Sequence, residues 1–134
     1  MHSLGKAIVG LKSRPSPATA VVGTIWAVMS LSALIFVLMF GSNVPYWDEW
    51  NIIDVLTGNK TVDLSWLWSE HNGHRIPLPR LVLLGLYGAT GSDFRAGMYF
   101  NVLVLSLLAL AMIRAAAAQR GHVSYTDAFF AVVY

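Results

Sequence analysis

The sequence predicts an all-α integral membrane protein: two full transmembrane helices, the start of a third, and short juxtamembrane helices in the first outer loop. Three observations predict it. Of 134 residues, 56% are hydrophobic and only 12% are charged, about half the charged share of an ordinary soluble domain. Two apolar runs, Ala20–Phe40 and Ala96–Ile113, are long enough to span a bilayer. Basic residues, Lys6, Lys12 and Arg14 at one place and Arg114 and Arg120 at another, flank those runs as the positive-inside rule asks. With a mean hydropathy of +0.59, a soluble domain this small would have no core large enough to hide its apolar surface, and disorder is excluded on the same ground.

Residues 1–19 form a cytoplasmic N-terminal segment. Residues 20–40 form the first transmembrane helix; its 21 residues measure roughly 31 Å as a helix. A cleaved signal peptide is rejected, because the run is too long and no small-x-small site follows it. Residues 41–93 form the outer loop, 94–118 the second transmembrane helix with Asn101 and Ser106 as helix–helix contacts, and 119–125 a cytoplasmic loop. Residues 126–134 start a third transmembrane helix. Its apolar run is seven residues long from Ala128, against the roughly 20 a span requires. The expectation is therefore an N-terminal portion of a longer protein, with further membrane helices outside this sequence.

A shorter apolar stretch, Ile76–Gly91, lies inside the loop. If it crossed the membrane, Arg114 and Arg120 would face outwards, against the charge bias. It is read as an interfacial or re-entrant helix on the outer side.

The outer loop holds six of the seven acidic residues. Asp48 suits a helix N-cap. Trp50, Ile53 and Leu56 then recur on one helical face, and Gly58-Asn59 ends that helix. Thr61 or Asp63 caps a second helix, along which Leu64, Leu67, Trp68 and His71 share a face before Asn72-Gly73 ends it. Pro77 suits the start of a third. Trp47, Trp50, Trp66 and Trp68 read as membrane-interface aromatics, and Arg80 and Arg95 as anchors whose charged heads reach back to the interface.

The chemistry candidates are Asp48, Glu49, His71, His74 and Arg75. Adjacent carboxylates, Asp48 and Glu49, offer a base or ligands for a divalent cation. An Arg beside two His offers donors for a phosphate, and apolar walls nearby make a lipid phosphate a natural ligand. No cysteine is present, so thiolate metal sites and disulfides are excluded. A net charge of +2 carried by scattered residues gives no footprint for nucleic acid.

An anchor helix, then Tyr46-Trp47-Asp48-Glu49-Trp50, then two short helices and His71-Asn72-Gly73-His74-Arg75-Ile76-Pro77-Leu78, resembles the start of membrane glycosyltransferases of the C superfamily. That group includes protein O-mannosyltransferases and the aminoarabinose transferases of lipid A. The resemblance covers about Val21 to Tyr134. It implies transfer of a sugar, with inversion, from a polyprenyl-phosphate-linked donor to an acceptor hydroxyl on the outer face of the plasma (inner) membrane. Asp48 would be the general base, with Glu49 positioning the acceptor or tuning Asp48. Arg75, with His74 and His71, would bind the donor phosphate. Some relatives use a divalent cation and others none, so the cofactor stays open. His74-Arg75-Ile76-Pro77 stands where the aminoarabinose branch carries Lys-Pro-Pro, which leaves sugar and acceptor open. Because such enzymes have many more spans, this portion alone is expected to be inactive.

Two other readings compete. One is a small non-catalytic membrane accessory that binds lipid or a partner through its Trp residues. The other is a periplasmic metal-binding loop using Glu49, Glu70, His71 and His74.

Overall fold

A computed structural model describes residues 15–133. Lys6, Lys12 and Arg14, on which the cytoplasmic assignment of the N-terminus rests, lie outside the described residues, as does Tyr134. The described chain is 72% helix and 3% strand.

Two long helices carry the fold. Helix α1 runs Pro17–Phe40, starting three residues before the expected boundary at Ala20. Ser16 sets that start: its Oγ accepts the Thr19 N–H at 3.2 Å, and Pro17 occupies the first helical position, where a missing N–H costs nothing. The partner helix runs Arg95–Arg120 and ends at Gly121, whose φ of +82° is the left-handed conformation glycine adopts without strain. Its first turn is tied by Asp93, whose carboxylate takes an ion pair from Arg95 at 2.7 Å; that hydrogen bonding holds Asp93 below the ordinary carboxylate range. Both long helices are long and apolar enough to cross a membrane. They meet through a polar seam: the Trp26 indole N–H donates to the Ser106 carbonyl at 2.9 Å, and the Ser30 and Ser106 hydroxyls lie 2.6 Å apart. Ser106 is thus a helix–helix contact, whereas Asn101 is exposed.

Between them the chain folds as a 3-10 turn over Trp47–Glu49, helix α2 (Trp50–Leu56), helix α3 (Leu64–Trp68), a hairpin of β1 (Glu70–His71) and β2 (His74–Arg75), and helix α4 (Pro77–Ala89). The Arg95–Arg120 helix is then α5. It is followed by a second 3-10 turn, Tyr125–Asp127, and helix α6, Ala128–Val132, which packs against both α1 and α5. Helix α4 has 13 residues, about 20 Å of helix, shorter than the roughly 30 Å hydrocarbon core of a bilayer.

Two expectations fail locally. Asp48 does not cap a helix. Tyr46 holds the cap position, and the Glu49 carboxylate accepts the Tyr46 N–H at 2.8 Å. Nor does the second loop helix reach His71. It stops at Trp68, and His71 pairs with His74 across an antiparallel hairpin. Asn72 and Gly73, at φ +48° and +84°, form its two-residue turn. Both positions are left-handed, as a type I′ hairpin turn requires, and Asn-Gly is the preferred pair for it. Asp63 does cap α3, its Oδ1 accepting the Trp66 N–H at 2.7 Å.

Two small apolar cores sit at opposite ends of the α1–α5 pair. Val22, Ile113 and Ala131 centre one; Ile52, Tyr87 and Phe94 centre the other, beneath the loop.

Candidate functional site

The loop encloses a cleft of about 260 Å³ whose lining includes Trp47, Asp48, Glu49, Ile52, His71, Arg80 and Leu83. Its two carboxylates have different fates. Glu49 is tied into the fold: besides the Tyr46 N–H, it accepts a short hydrogen bond from the Tyr87 hydroxyl. Tyr87 is fully buried. Burial, then the hydrogen bond to Glu49, then the charge of Glu49 push its phenol above its ordinary range. Helix α5 can approach this pair because residue 97 is glycine; a Cβ there would lie 2.9 Å from the Tyr87 oxygen and 3.5 Å from Glu49 Oε1.

Asp48 points the other way. Its side chain is 53% exposed, and its Oδ2 lies 3.2 Å from Nε2 of His71, which is only 7% exposed. Its Oδ1 accepts the Asn72 amide at 3.3 Å. The His71 separation fits an ion pair, yet the ring is not aimed along a hydrogen bond. Among the described residues, Nε2 is therefore the one buried side-chain nitrogen or oxygen without a hydrogen bond. An unmet buried polar atom costs about 1–3 kcal/mol, and such exceptions call for an explanation.

Of the expected phosphate ligands, only His71 reaches this cleft. His74 and Arg75 are exposed and line a separate surface depression with Trp68, Glu70 and Gly73. For Arg75 the cause is the hairpin: alternate strand residues face opposite sides, and Arg75, opposite Glu70, lies on the face away from the His71–His74 pair. The His71 and His74 rings remain neighbours, edge to face at 6.2 Å.

The cation that does line the cleft is Arg80, read from the sequence as an interface anchor. It is 6% exposed. Its Nη1 donates towards the carbonyls of Trp66 at 2.6 Å, Leu67 at 3.1 Å and Ser69 at 2.9 Å, and the Ser69 hydroxyl at 3.0 Å. Its guanidinium lies 5.1 Å over the Trp66 ring. Arg80 thereby closes the C-terminal end of α3, whose last carbonyls have no intrahelical partner. The sequence held a signal for this: Arg80, Leu83, Leu84 and Tyr87 fall at i, i+3, i+4 and i+7, so Arg80 is the single charge on the packing face of α4.

Trp66, expected at a membrane interface, is instead buried under Arg80, while Trp47, Trp50 and Trp68 are exposed. Among the described residues no three His, Asp or Glu side chains converge as a metal site. Glu49, Glu70, His71 and His74 do not form one donor set; in the cleft, Asp48 and His71 are the adjacent pair. No protein-family model, curated protein or solved structure matches this chain.

Proposed function

We propose that the chain is the N-terminal portion of a membrane glycosyltransferase that moves a sugar from a polyprenyl-phosphate-linked donor to an acceptor hydroxyl on the outer face of the plasma membrane. The observation that carries the reading is the state of Asp48. It is a half-exposed carboxylate, held beside a buried imidazole at a cleft, while its neighbour Glu49 is committed to Tyr87. In this reading α1 and α5 cross the membrane, with Arg114 and Arg120 on the cytoplasmic side. The loop and α4 lie at the outer interface. Exposed Trp47, Trp50 and Trp68 meet the headgroup region, where aromatic rings are favoured.

The chemistry follows from the base. Asp48 removes the proton of the acceptor hydroxyl as its oxygen attacks the anomeric carbon. The sugar–phosphate bond breaks on the opposite side, so the configuration inverts. The phosphate leaves with the bonding pair, and a cation of the loop meets its charge. The Asn72 amide, which donates to Oδ1, holds the carboxylate at the cleft.

The test is sugar transfer from a polyprenyl-phosphate sugar by the protein in its native membrane. Asp48→Asn lowers turnover by about 10²–10⁴-fold, the usual contribution of a positioned base, with expression and insertion unchanged. Full turnover in that variant removes the role given to Asp48. The exposed Trp47 and Trp50 favour a second reading, a non-catalytic lipid- or partner-binding loop. It predicts that Trp47→Ala abolishes binding while Asp48→Asn leaves it intact.

A further inference from the structure

We infer that Asn72 is a site of spontaneous deamidation, in which the Gly73 nitrogen attacks the Asn72 side chain and the carboxylate so formed disarms Asp48. The modification stands on the chemistry of the hairpin turn alone. Its effect on turnover rests on the reading of Asp48 as the base.

Asn72-Gly73 is the one Asn-Gly pair in the sequence, and both residues are exposed at the tip of the hairpin. The attacking nitrogen is unhindered. A Cβ at Gly73 would meet nothing within 4 Å, and among the described residues the Gly73 N–H makes no hydrogen bond. His74 Nδ1 lies 3.2 Å from the Asn72 carbonyl oxygen. When that nitrogen carries a proton it donates to the oxygen, draws electron density from the Asn72–Gly73 peptide and so acidifies the Gly73 N–H. The hairpin has two residues in each strand, too few for independent stability, so the turn opens and lets the side chain reach its own backbone. The step balances. The Gly73 nitrogen gives up its proton and bonds to Asn72 Cγ, the Cγ–N bond of the amide breaks, and ammonia leaves with that proton. Water then opens the cyclic imide to aspartate or, through the backbone carbonyl, to isoaspartate. Before the change, the Asn72 amide donates to Asp48 Oδ1 at 3.3 Å. Afterwards a second carboxylate stands where the donor stood. Two carboxylates this close disfavour double ionisation and retain a proton, and a base that retains its proton does not take another from the acceptor hydroxyl.

The experiment ages the purified full-length protein, in detergent micelles and mild alkali, in oxygen-labelled water. Peptide mapping by mass spectrometry then locates the label, which marks each acid formed during the incubation. Asn51, Asn59 and Asn101 are exposed as well but precede Ile52, Lys60 and Val102. Their side chains crowd the attacking nitrogen and restrict the backbone, as glycine does not, so label is expected at Asn72 about tenfold faster than at these positions. Equal rates overturn the inference. Sugar transfer is then measured for Asn72→Asp and Asn72→Gly. Both keep a pair suited to the type I′ turn, Asp-Gly or Gly-Gly, so the fold is held constant. Asn72→Gly lowers turnover by about a few-fold, the loss of one hydrogen bond. Asn72→Asp also moves the acid limb of the pH–turnover profile up by about one unit. Coincident profiles in the two variants overturn the link to Asp48. Labelling at Asn72 without any transfer by the parent protein refutes the transferase and leaves the modification standing. Transfer by the parent without preferential labelling refutes the modification and leaves the transferase.

Discussion

Two 3-10 turns, Trp47–Glu49 and Tyr125–Asp127, sit at opposite ends of the α1–α5 pair and are built alike. In each, the last residue is an acid that accepts the N–H of the capping residue, Tyr46 at 2.8 Å or Ser124 at 3.0 Å. In each, that acid also takes a side chain from a longer helix, Tyr87 of α4 or Arg120 of α5. Each turn runs straight into a short helix. They differ one residue earlier. Thr126 folds back on Ser124, its hydroxyl 3.0 Å from the Ser124 oxygen. Asp48 instead reaches across the loop to His71 and Asn72. The comparison shows that Glu49 does what Asp127 does, which is to hold a turn. Nothing in the architecture of such a turn calls for Asp48, so the functional reading belongs to Asp48.

The largest effect expected from this contrast is the loss of turnover in Asp48→Asn. The same variant should shift stability by no more than about 0.5 kcal/mol, the usual range for exposed substitutions. Asp127→Ala is its mirror. Asp127 is 2% exposed and its partner Arg120 38%, so removal strands a half-buried cation. The cost is about 2–3 kcal/mol, below the roughly 3–5 kcal/mol of a fully buried pair because water reaches Arg120. Unfolding in mixed detergent and denaturant measures both. Equal losses in the two variants would erase the distinction between the turns.

Next in size is Gly97→Ala. Its Cβ would stand 2.9 Å from the Tyr87 oxygen, and Tyr87, fully buried, has no room to give. Overpacking of this kind costs about 1–3 kcal/mol. The control is Gly88→Ala in α4, where nothing lies within 4 Å; there the better helix former gains about 0.5–1 kcal/mol. If both substitutions behave alike, the close approach of α5 to the Glu49–Tyr87 pair is not what sets the turn.

The pH dependence has two limbs. Asp93 is lowered, first by its hydrogen bond from Arg95. Its contribution is therefore present above the unfolded value, about 3.9, and is lost as pH falls below it. Tyr87 is raised, first by burial and then by Glu49. Its contribution is present below about pH 10 and is lost as pH rises beyond it. Thermal unfolding across pH should show both limbs, and Tyr87→Phe should flatten only the alkaline one. An alkaline limb that survives Tyr87→Phe removes the linkage to that phenol.

Composition and run length were enough to read the two long helices, because an uncharged run of that length has few other solutions. The cap at Asp63 and the start of α4 at Pro77 were also legible, since both are local rules. What was lost is non-local. Leu64, Leu67, Trp68 and His71 match a helical face, but the Asn72-Gly73 turn overrides that period. The hairpin then puts Arg75 on the face opposite His71, while His74, paired with His71, stays exposed beside it. Arg80 was misread because its partners are carbonyls at residues 66, 67 and 69; its place on the packing face of α4 signals burial but names no partner. The asymmetry between Asp48 and Glu49 was invisible for a similar reason. Tyr87 lies 38 residues away, and only packing reveals that it claims one carboxylate and not the other.

The smallest effect concerns backbone strain in the Trp47–Glu49 turn. Trp47 holds a φ of +49°, a left-handed conformation that costs an L-residue about 1–2 kcal/mol. Tyr125, its counterpart in the other turn, is not among the residues with positive φ. The strain is not repaid by burial, because Trp47 is 74% exposed. It does place the ring on the cleft wall, beside Tyr46 at 6.0 Å. Trp47→Asn tests what the strain is for, since asparagine tolerates this conformation. The expected outcome is a stability gain under about 1 kcal/mol together with weaker lipid-donor binding. Held strain at a site is informative only when function falls as the strain is relieved. A gain in stability with donor binding unchanged would make Trp47 a tolerated defect, and the two turns would then differ by Asp48 alone.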